Sequence, residues 1–423
     1  MSRFLLKLQL NRDFWYPVEI LCISNGHGED LIAARICIEL KKLGFSAIAL
    51  PMVGVGHAYR KAEIPIVEQY TQAMPSGGFV RMDNRQLARD VKSGLVGLTS
   101  KQLGFVWQWS RDRRHGNRLI LAVGDIVPLL FAWLPAKFGG CNFAFVATAK
   151  SEYYWRDRKG LLPDIKKPFG GSIFFPWERA LMKSDRCKAV FVRDLLTAEL
   201  LNREFKLPAI YLGNSMMDGL EPQGKEFGVG ENDWAVAILP GSRAPESYEN
   251  WMTLMLCAQV VARTIPHNVH FLVAIAPDLD LEIIAQSIIQ KGWQRFDEIT
   301  FKVQNARLLL LKEGFNDCLA QSHLGLAMAG TATEQMVGLG KPVITIAGLG
   351  PQFTRQFAEE QADLLGCSIN LIDKPAQVAD VLHEILQDPD YFQEVGRNGL
   401  ERMGVAGASA KIAKYIADKI RSK

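Results

Sequence analysis

Gly330-Thr331-Ala332-Thr333-Glu334, followed by Gly338-Leu339-Gly340-Lys341-Pro342 and the apolar run Val343-Ile344-Thr345-Ile346, reads as a small-residue turn, a short helix and a buried strand. Small residues let a ligand approach the backbone closely. A helix beginning near Ala332 aims free N–H groups at a phosphate. Glu334 falls in the first turn, where a carboxylate can accept both hydroxyls of a ribose. The combination suits a sugar nucleotide. The same residues also suit an ordinary turn before a capped helix, and this segment alone leaves both readings open.

Outward from this unit the same alternation fills the chain. Apolar runs at 18–24, 46–50, 119–123, 143–147 and 189–192 predict strands, and 30–43 predicts a helix. The pattern weakens over 213–231, where Glu221-Pro222-Gln223-Gly224-Lys225 reads as a polar, turn-rich linker. It restarts with strands at 235–239, 270–275, 324–327 and 342–346 and a helix at 246–264, and 375–423 is largely helical. Such alternation predicts α/β architecture, with parallel sheets covered by helices. Two domains with a cleft between them follow, and ligands of such sheets bind beyond the carboxyl ends of the strands.

Composition agrees with two soluble cores. The chain has 423 residues, 48% hydrophobic and 22% charged. A net charge of +4 does not point to nucleic acid. The seven cysteines, Cys22, Cys37, Cys141, Cys187, Cys257, Cys318 and Cys367, are scattered and form no C-x-x-C pair. That argues against a disulfide framework or a zinc site and for a reducing compartment. Residues 1–10 are interrupted by Arg3 and Lys7 and lack an apolar signal core. No window reaches the ~20 apolar residues of a membrane span. The expected location is cytoplasmic, with peripheral association at the inner face of a membrane as a further expectation.

Several loops at predicted strand ends carry candidate chemistry. The first strand runs into Ser24-Asn25-Gly26-His27-Gly28-Glu29-Asp30. His27 suits a general base or an orienting group for an acceptor hydroxyl, and Asn25, Gly26 and Gly28 shape its loop. Otherwise the glycines only turn the chain and His27 caps the helix. Gly124-Asp125 ends another strand, where Asp125 is either a general base or the N-cap of a helix opening at Val127-Pro128. Leu239-Pro240-Gly241-Ser242-Arg243 follows the first strand of the second half. Gly241 admits a ligand to the backbone, Ser242 offers a hydroxyl, and Arg243 offers a fixed cation to a diphosphate. In Gly348-Leu349-Gly350-Pro351-Gln352-Phe353-Thr354, Gln352 suits sugar hydroxyls or plain solvent. Gly54-Val55-Gly56 lacks the third glycine of a dinucleotide fingerprint, Tyr59 standing in its place, so no nicotinamide cofactor is expected. In 95–114, 153–156 and 174–179, aromatic residues stand beside basic ones. That suits a membrane interface, or for 95–114 a helix packed on the first core.

Leu239-Pro240-Gly241-Ser242-Arg243, Gly330-Thr331-Ala332-Thr333-Glu334 and Gly213-Asn214-Ser215-Met216-Met217-Asp218 resemble motifs of lipid-A-disaccharide synthase. With Phe175-Pro176-Trp177-Glu178-Arg179 and Phe191-Val192-Arg193-Asp194, the chain is most similar to the synthase-related branch seen in cyanobacteria. The resemblance spans nearly the whole chain and is looser in the first half. It implies a GT-B glycosyltransferase fold of two Rossmann-like, doubly wound domains. Residues 1–220 would take the acceptor and 221–400 a UDP-sugar, and a C-terminal helix in 401–423 would pack back on the first domain. It implies a hexose or N-acetylhexosamine passed to a lipid or glycolipid acceptor, with no bound metal or cofactor.

By that resemblance Arg243 binds phosphate, Glu334 holds the donor ribose, and Thr331 and Thr333 flank the diphosphate. Gln352 meets the donor sugar, and Asp125 falls near the synthase's catalytic Asp. The loop Asn25-Gly26-His27-Gly28 departs from the synthase's acidic loop and looks more like the Gly-Gly-His loops of peptidoglycan-precursor and galactolipid transferases. That leaves His27 and Asp125 as rival bases. A UDP-sugar 2-epimerase and a non-catalytic nucleotide-sugar-binding protein are the alternative readings.

Overall fold

The computed structural model describes residues 19–71, 95–112, 118–157, 169–348, 350 and 353–421. The chain divides into two compact units. One comprises 1–146, 181–190 and 412–423, the other 147–180 and 191–411.

The first half alternates β1 (Glu19–Ser24), α1 (His27–Lys42), β2 (Ser46–Pro51), α2 (His57–Lys61), α3 (Leu95–Arg111), β3 (Arg118–Gly124), α4 (Ile126–Lys137) and β4 (Asn142–Ala147). Next come α5 (Pro176–Met182), β5 (Cys187–Phe191), α6 (Leu195–Phe205) and β6 (Ala209–Ile210). The sheet order is β2-β1-β3-β4-β5-β6, and β1 pairs parallel with both β2 and β3. Strand β3 is buried from Leu119 to Gly124, as expected of a parallel strand covered on both faces. Consecutive strands β1 and β2 lie to one side of the point where the order reverses and β3 to the other. That reversal, between β1 and β3, opens a crevice at the carboxyl ends.

The second sheet is built from β7 (Trp234–Leu239), α7 (Glu246–Thr264), β8 (Val269–Ala274), α8 (Leu281–Gln290), β9 (Gln294–Arg295), β10 (Thr300–Val303), β11 (Ala306–Leu311) and α9 (Phe315–Gln321). It continues with β12 (Leu324–Ala327), α10 (Thr331–Gly338), β13 (Val343–Ile346), α11 (Arg355–Leu365) and β14 (Ile369–Ile372). The chain ends in α12 (Val378–Gln387), α13 (Tyr391–Met403) and α14 (Ala408–Arg421). The order β14-β13-β12-β7-β8-β11-β10-β9 reverses between β7 and β12. Val236, Ile238, Phe271, Leu326 and Ile344 meet Trp251 in a closed core. Each such side chain contributes about 1.5–3 kcal/mol by leaving water.

The second sheet is parallel except at one edge. Strands β9, β10 and β11 pair antiparallel because Val303 and Ala306 face each other across a two-residue turn, which has no room for a crossover helix. Gln304 adopts the left-handed φ of 51° without the glycine that usually marks such a turn.

The turn-rich stretch at 221–225 is tied down. The Asp317 carboxylate accepts N–H bonds from Gln223, Gly224 and Lys225 at 2.7, 2.8 and 3.2 Å. The 213–218 motif is also structural. Asp218 accepts N–H bonds from Gly407, Ala408 and Ser409, satisfying the free donors at the start of α14. Beyond them, Arg421 of α14 donates to Leu43 O at 2.8 Å within the first unit.

Candidate functional site

The second unit places its predicted site at the reversal of its sheet. The loop after β7 carries Gly241, Ser242 and Arg243, and the loop after β12 leads through Met328 to Gly330 and Thr331. Asn250, buried on α7, ties these loops together: its Nδ2 donates to Pro240 O and Met328 O, both at 3.2 Å. Gly241 turns with φ 94°, a conformation that favours glycine. Ser242 is exposed, while Gly241, Arg243, Gly330, Thr331 and Ala332 are half-buried.

A second set of bonds stiffens the start of α10. Gln361 Nε2 donates to Ala329 O and Gly330 O at 3.1 and 3.2 Å. Thr333 is fully buried and its hydroxyl donates back to Ala329 O at 2.6 Å. Thr333 therefore holds the turn, and backbone N–H groups are what the helix start offers a ligand. No side chain caps α10. The loop after β13 is anchored from α7, where Glu246 Oε1 accepts Phe353 N–H at 2.6 Å. Gln352 lies outside the described residues.

Glu334 is engaged with a residue the functional reading passed over. Its Oε2 accepts from Arg193 Nη2 at 2.6 Å, with the arginine side chain 3% exposed and the glutamate 13%. Asn250, Gln361 and Glu246 were also not read as site residues. Each is an ordinary polar residue on a helix, and only the folded chain aims it at a loop.

The first unit brings its predicted residues to the reversal between β1 and β3. Asn25 follows β1 and is buried, and the Cβ that Gly124 lacks would fall 2.1 Å from Asn25 Oδ1. The two strand-end loops thus interlock, because a residue without a side chain leaves space for the carboxamide. Gly26 precedes α1 without a side-chain cap, and Gly28 is half-buried. His27 opens α1, and its side chain lies outside the described residues. Asp125 caps α4, its Oδ1 accepting Val127 N–H at 2.8 Å. The capping half of the two readings for Asp125 is therefore realised.

Beneath the loop runs a buried chain. Tyr59 and Ser24 hydroxyls lie 2.6 Å apart, and Ser24 Oγ donates to Asp30 Oδ1 at 2.6 Å. Asp30 Oδ2 is buried with no hydrogen-bond partner among the described residues. Burial pushes the Asp30 carboxyl up to about 7, against the opposing pull of the Ser24 hydrogen bond, and Glu29 adds to the rise.

The aromatic–basic stretches divide. In α3, Trp109 is buried with Arg118 4.8 Å above its ring, and Gln102 donates inward to Met52 O and Tyr70 O. Residues 113–114 lie outside the described set. In 174–179, Phe174 is buried, whereas Phe175 and Trp177 are exposed and stack at 4.6 Å. Exposed Phe169 joins them at 6.3 and 6.4 Å. Among the described residues no helix is long and apolar enough to cross a membrane.

No protein-family model and no curated protein matches the chain. Solved structures do. MurG of Acinetobacter baumannii aligns at TM-score 0.56 and 12% identity over 96% of this chain and 100% of its own. The calicheamicin glycosyltransferase CalG4 aligns at 0.58 and 14%, over 96% and 98%. The UDP-GlcNAc 2-epimerase of Neisseria meningitidis, solved with UDP-GlcNAc, aligns at 0.54 and 14%, over 96% and 100%. The fold is GT-B. At these identities the likeness is one of architecture, shared by transferases and epimerases.

Proposed function

We propose that the chain is a UDP-sugar-dependent glycosyltransferase acting on a lipid or glycolipid acceptor without a bound metal. The observation that carries this reading is the Asn250 tie. It draws the Arg243 loop and the Gly330 turn together at the sheet's reversal, where doubly wound sheets take their ligands. Arg243 and the N–H groups opening α10 would stabilise the departing UDP, where negative charge develops. Glu334 would accept the ribose hydroxyls. In the first unit, His27 or Asp125 would take the proton of the acceptor hydroxyl. The exposed trio Phe169, Phe175 and Trp177 supports an apolar or membrane-bound acceptor.

A second reading, UDP-sugar 2-epimerase, draws support from the epimerase among the structures that share the fold. The first test is a calorimetric titration with a nucleotide panel. UDP-selective binding is expected, weakened about tenfold to a hundredfold by Arg243→Ala, the range of a lost charge-assisted hydrogen bond. No response to any uridine nucleotide would refute the proposal. Incubating UDP-GlcNAc with no acceptor then separates the readings, since an epimerase interconverts the sugar and a transferase does not.

A further inference from the structure

Arg193 sits just beyond β5, and its surroundings leave it little freedom. The next residue, Asp194, caps α6 by accepting Thr197 N–H at 2.7 Å, which fixes the backbone on that side. The guanidinium is buried. Nη1 donates to Thr148 O at 3.3 Å, while Nη2 meets Glu334 Oε2 at 2.6 Å and Met403 Sδ at 3.3 Å. A buried pair of this kind adds little to stability over well-packed apolar residues, but its geometry is held firmly. Glu334 occupies the first turn of α10, four residues from Gly330. Its Oε2 is committed to Arg193, while the side chain keeps some exposure to solvent.

We propose that Arg193 is the positioning residue for Glu334. By clamping one carboxylate oxygen it fixes the rotamer of the other, so that the ribose hydroxyls of a uridine nucleotide meet an acceptor already in place. The clamp removes a rotamer cost that binding would otherwise carry. This inference rests on the proposed uridine-nucleotide site. It adds a residue that touches no substrate and acts through Glu334.

The test compares UDP with 2′,3′-dideoxy-UDP by calorimetry. Wild-type protein should prefer UDP by about tenfold or more, the value of a charge-assisted hydrogen bond, and Glu334→Gln should erase most of that preference. Arg193→Met, which keeps the bulk and loses the fork, should erase it as well while binding dideoxy-UDP within about twofold of wild type. Arg193→Lys should restore part of it, because an ammonium can pair with Oε2 but cannot reproduce the planar geometry. A purely structural role for Arg193 would lower affinity for both nucleotides alike.

If Arg193→Met keeps the wild-type preference, the positioning role is overturned. If Arg193→Met does not fold, a full wild-type preference in Arg193→Lys overturns it instead. A wild type that binds both nucleotides equally removes the ribose role of Glu334, and this inference with it. Failure of UDP to bind at all refutes the site itself.

Discussion

Asp30→Asn tests the physics of the buried chain under the β1–α1 loop. Asp30 is 1% exposed, and burial lifts its carboxyl from the ordinary 3.8 to about 7. Between those values the folded chain keeps a proton that the unfolded chain has released, so stability falls as pH rises through that window. The contribution is fully present below 3.8 and lost above 7. At about 1.4 kcal/mol per pH unit the loss reaches about 4 kcal/mol by pH 8.

Asparagine keeps the size of the side chain and has no charge to bury. Its amide finds no more partners at the Oδ2 position than the carboxyl does, which offsets the variant by a constant at every pH. The pH slope of the difference is therefore the readout. Hydrogen exchange of peptides from 19–42, compared between wild type and variant at pH 4.5, 6 and 8, cancels the intrinsic rates. Wild type should lose protection relative to Asp30→Asn as pH rises. Parallel behaviour at all three values would refute the argument and place the carboxyl in the ordinary range.

Two further outcomes follow from packing. Gly399→Ala would set a Cβ 2.2 Å from the Val337 carbonyl oxygen, forcing α13 from α10. A loss of about 3 kcal/mol in urea denaturation is expected, together with weaker UDP binding because α10 carries Glu334; unchanged values on both counts would contradict the tight contact. Asp218→Ala strips three acceptor contacts from the start of α14, and a cost of about 2–3 kcal/mol is expected, read as faster exchange of the 407–411 amides.

Much of the framework was legible along the chain. The β–α alternation located most strands within a residue or two, because buried parallel strands must be continuously apolar and their covering helices amphipathic. The second-half helix at 246–264 and the strand at 324–327 match the structure end to end. The β9–β11 meander was missed because its turn, Gln304-Asn305, carries no glycine and because β9 and β10 are only two and four residues long. Strand β14, at 369–372, lies before the helical expectation for 375–423 and was not read.

The candidate site divides in the same manner. Gly241, Arg243, Gly330 and Glu334 announce themselves because small or charged residues at the ends of apolar runs have little to do in packing. Asn250, Gln361 and Glu246 send no such signal, since a polar residue within a helix is most often solvated, and Arg193, at the end of an apolar run, gives no sign of the partner it meets. Arg193 and Glu334 are 141 residues apart in the chain, and their pairing exists only once α10 and the end of β5 are brought together.

Taken alone, the sequence determined the class of fold, most strands of the two series and the loops at their ends, because those depend on local periodicity and on which residues can turn a chain. The tertiary structure alone decided that Asp218 serves a helix start, that Thr333 turns inward, and that Glu334 is already held. Those outcomes depend on which donors and acceptors meet when distant segments are buried together, and no local pattern encodes that meeting.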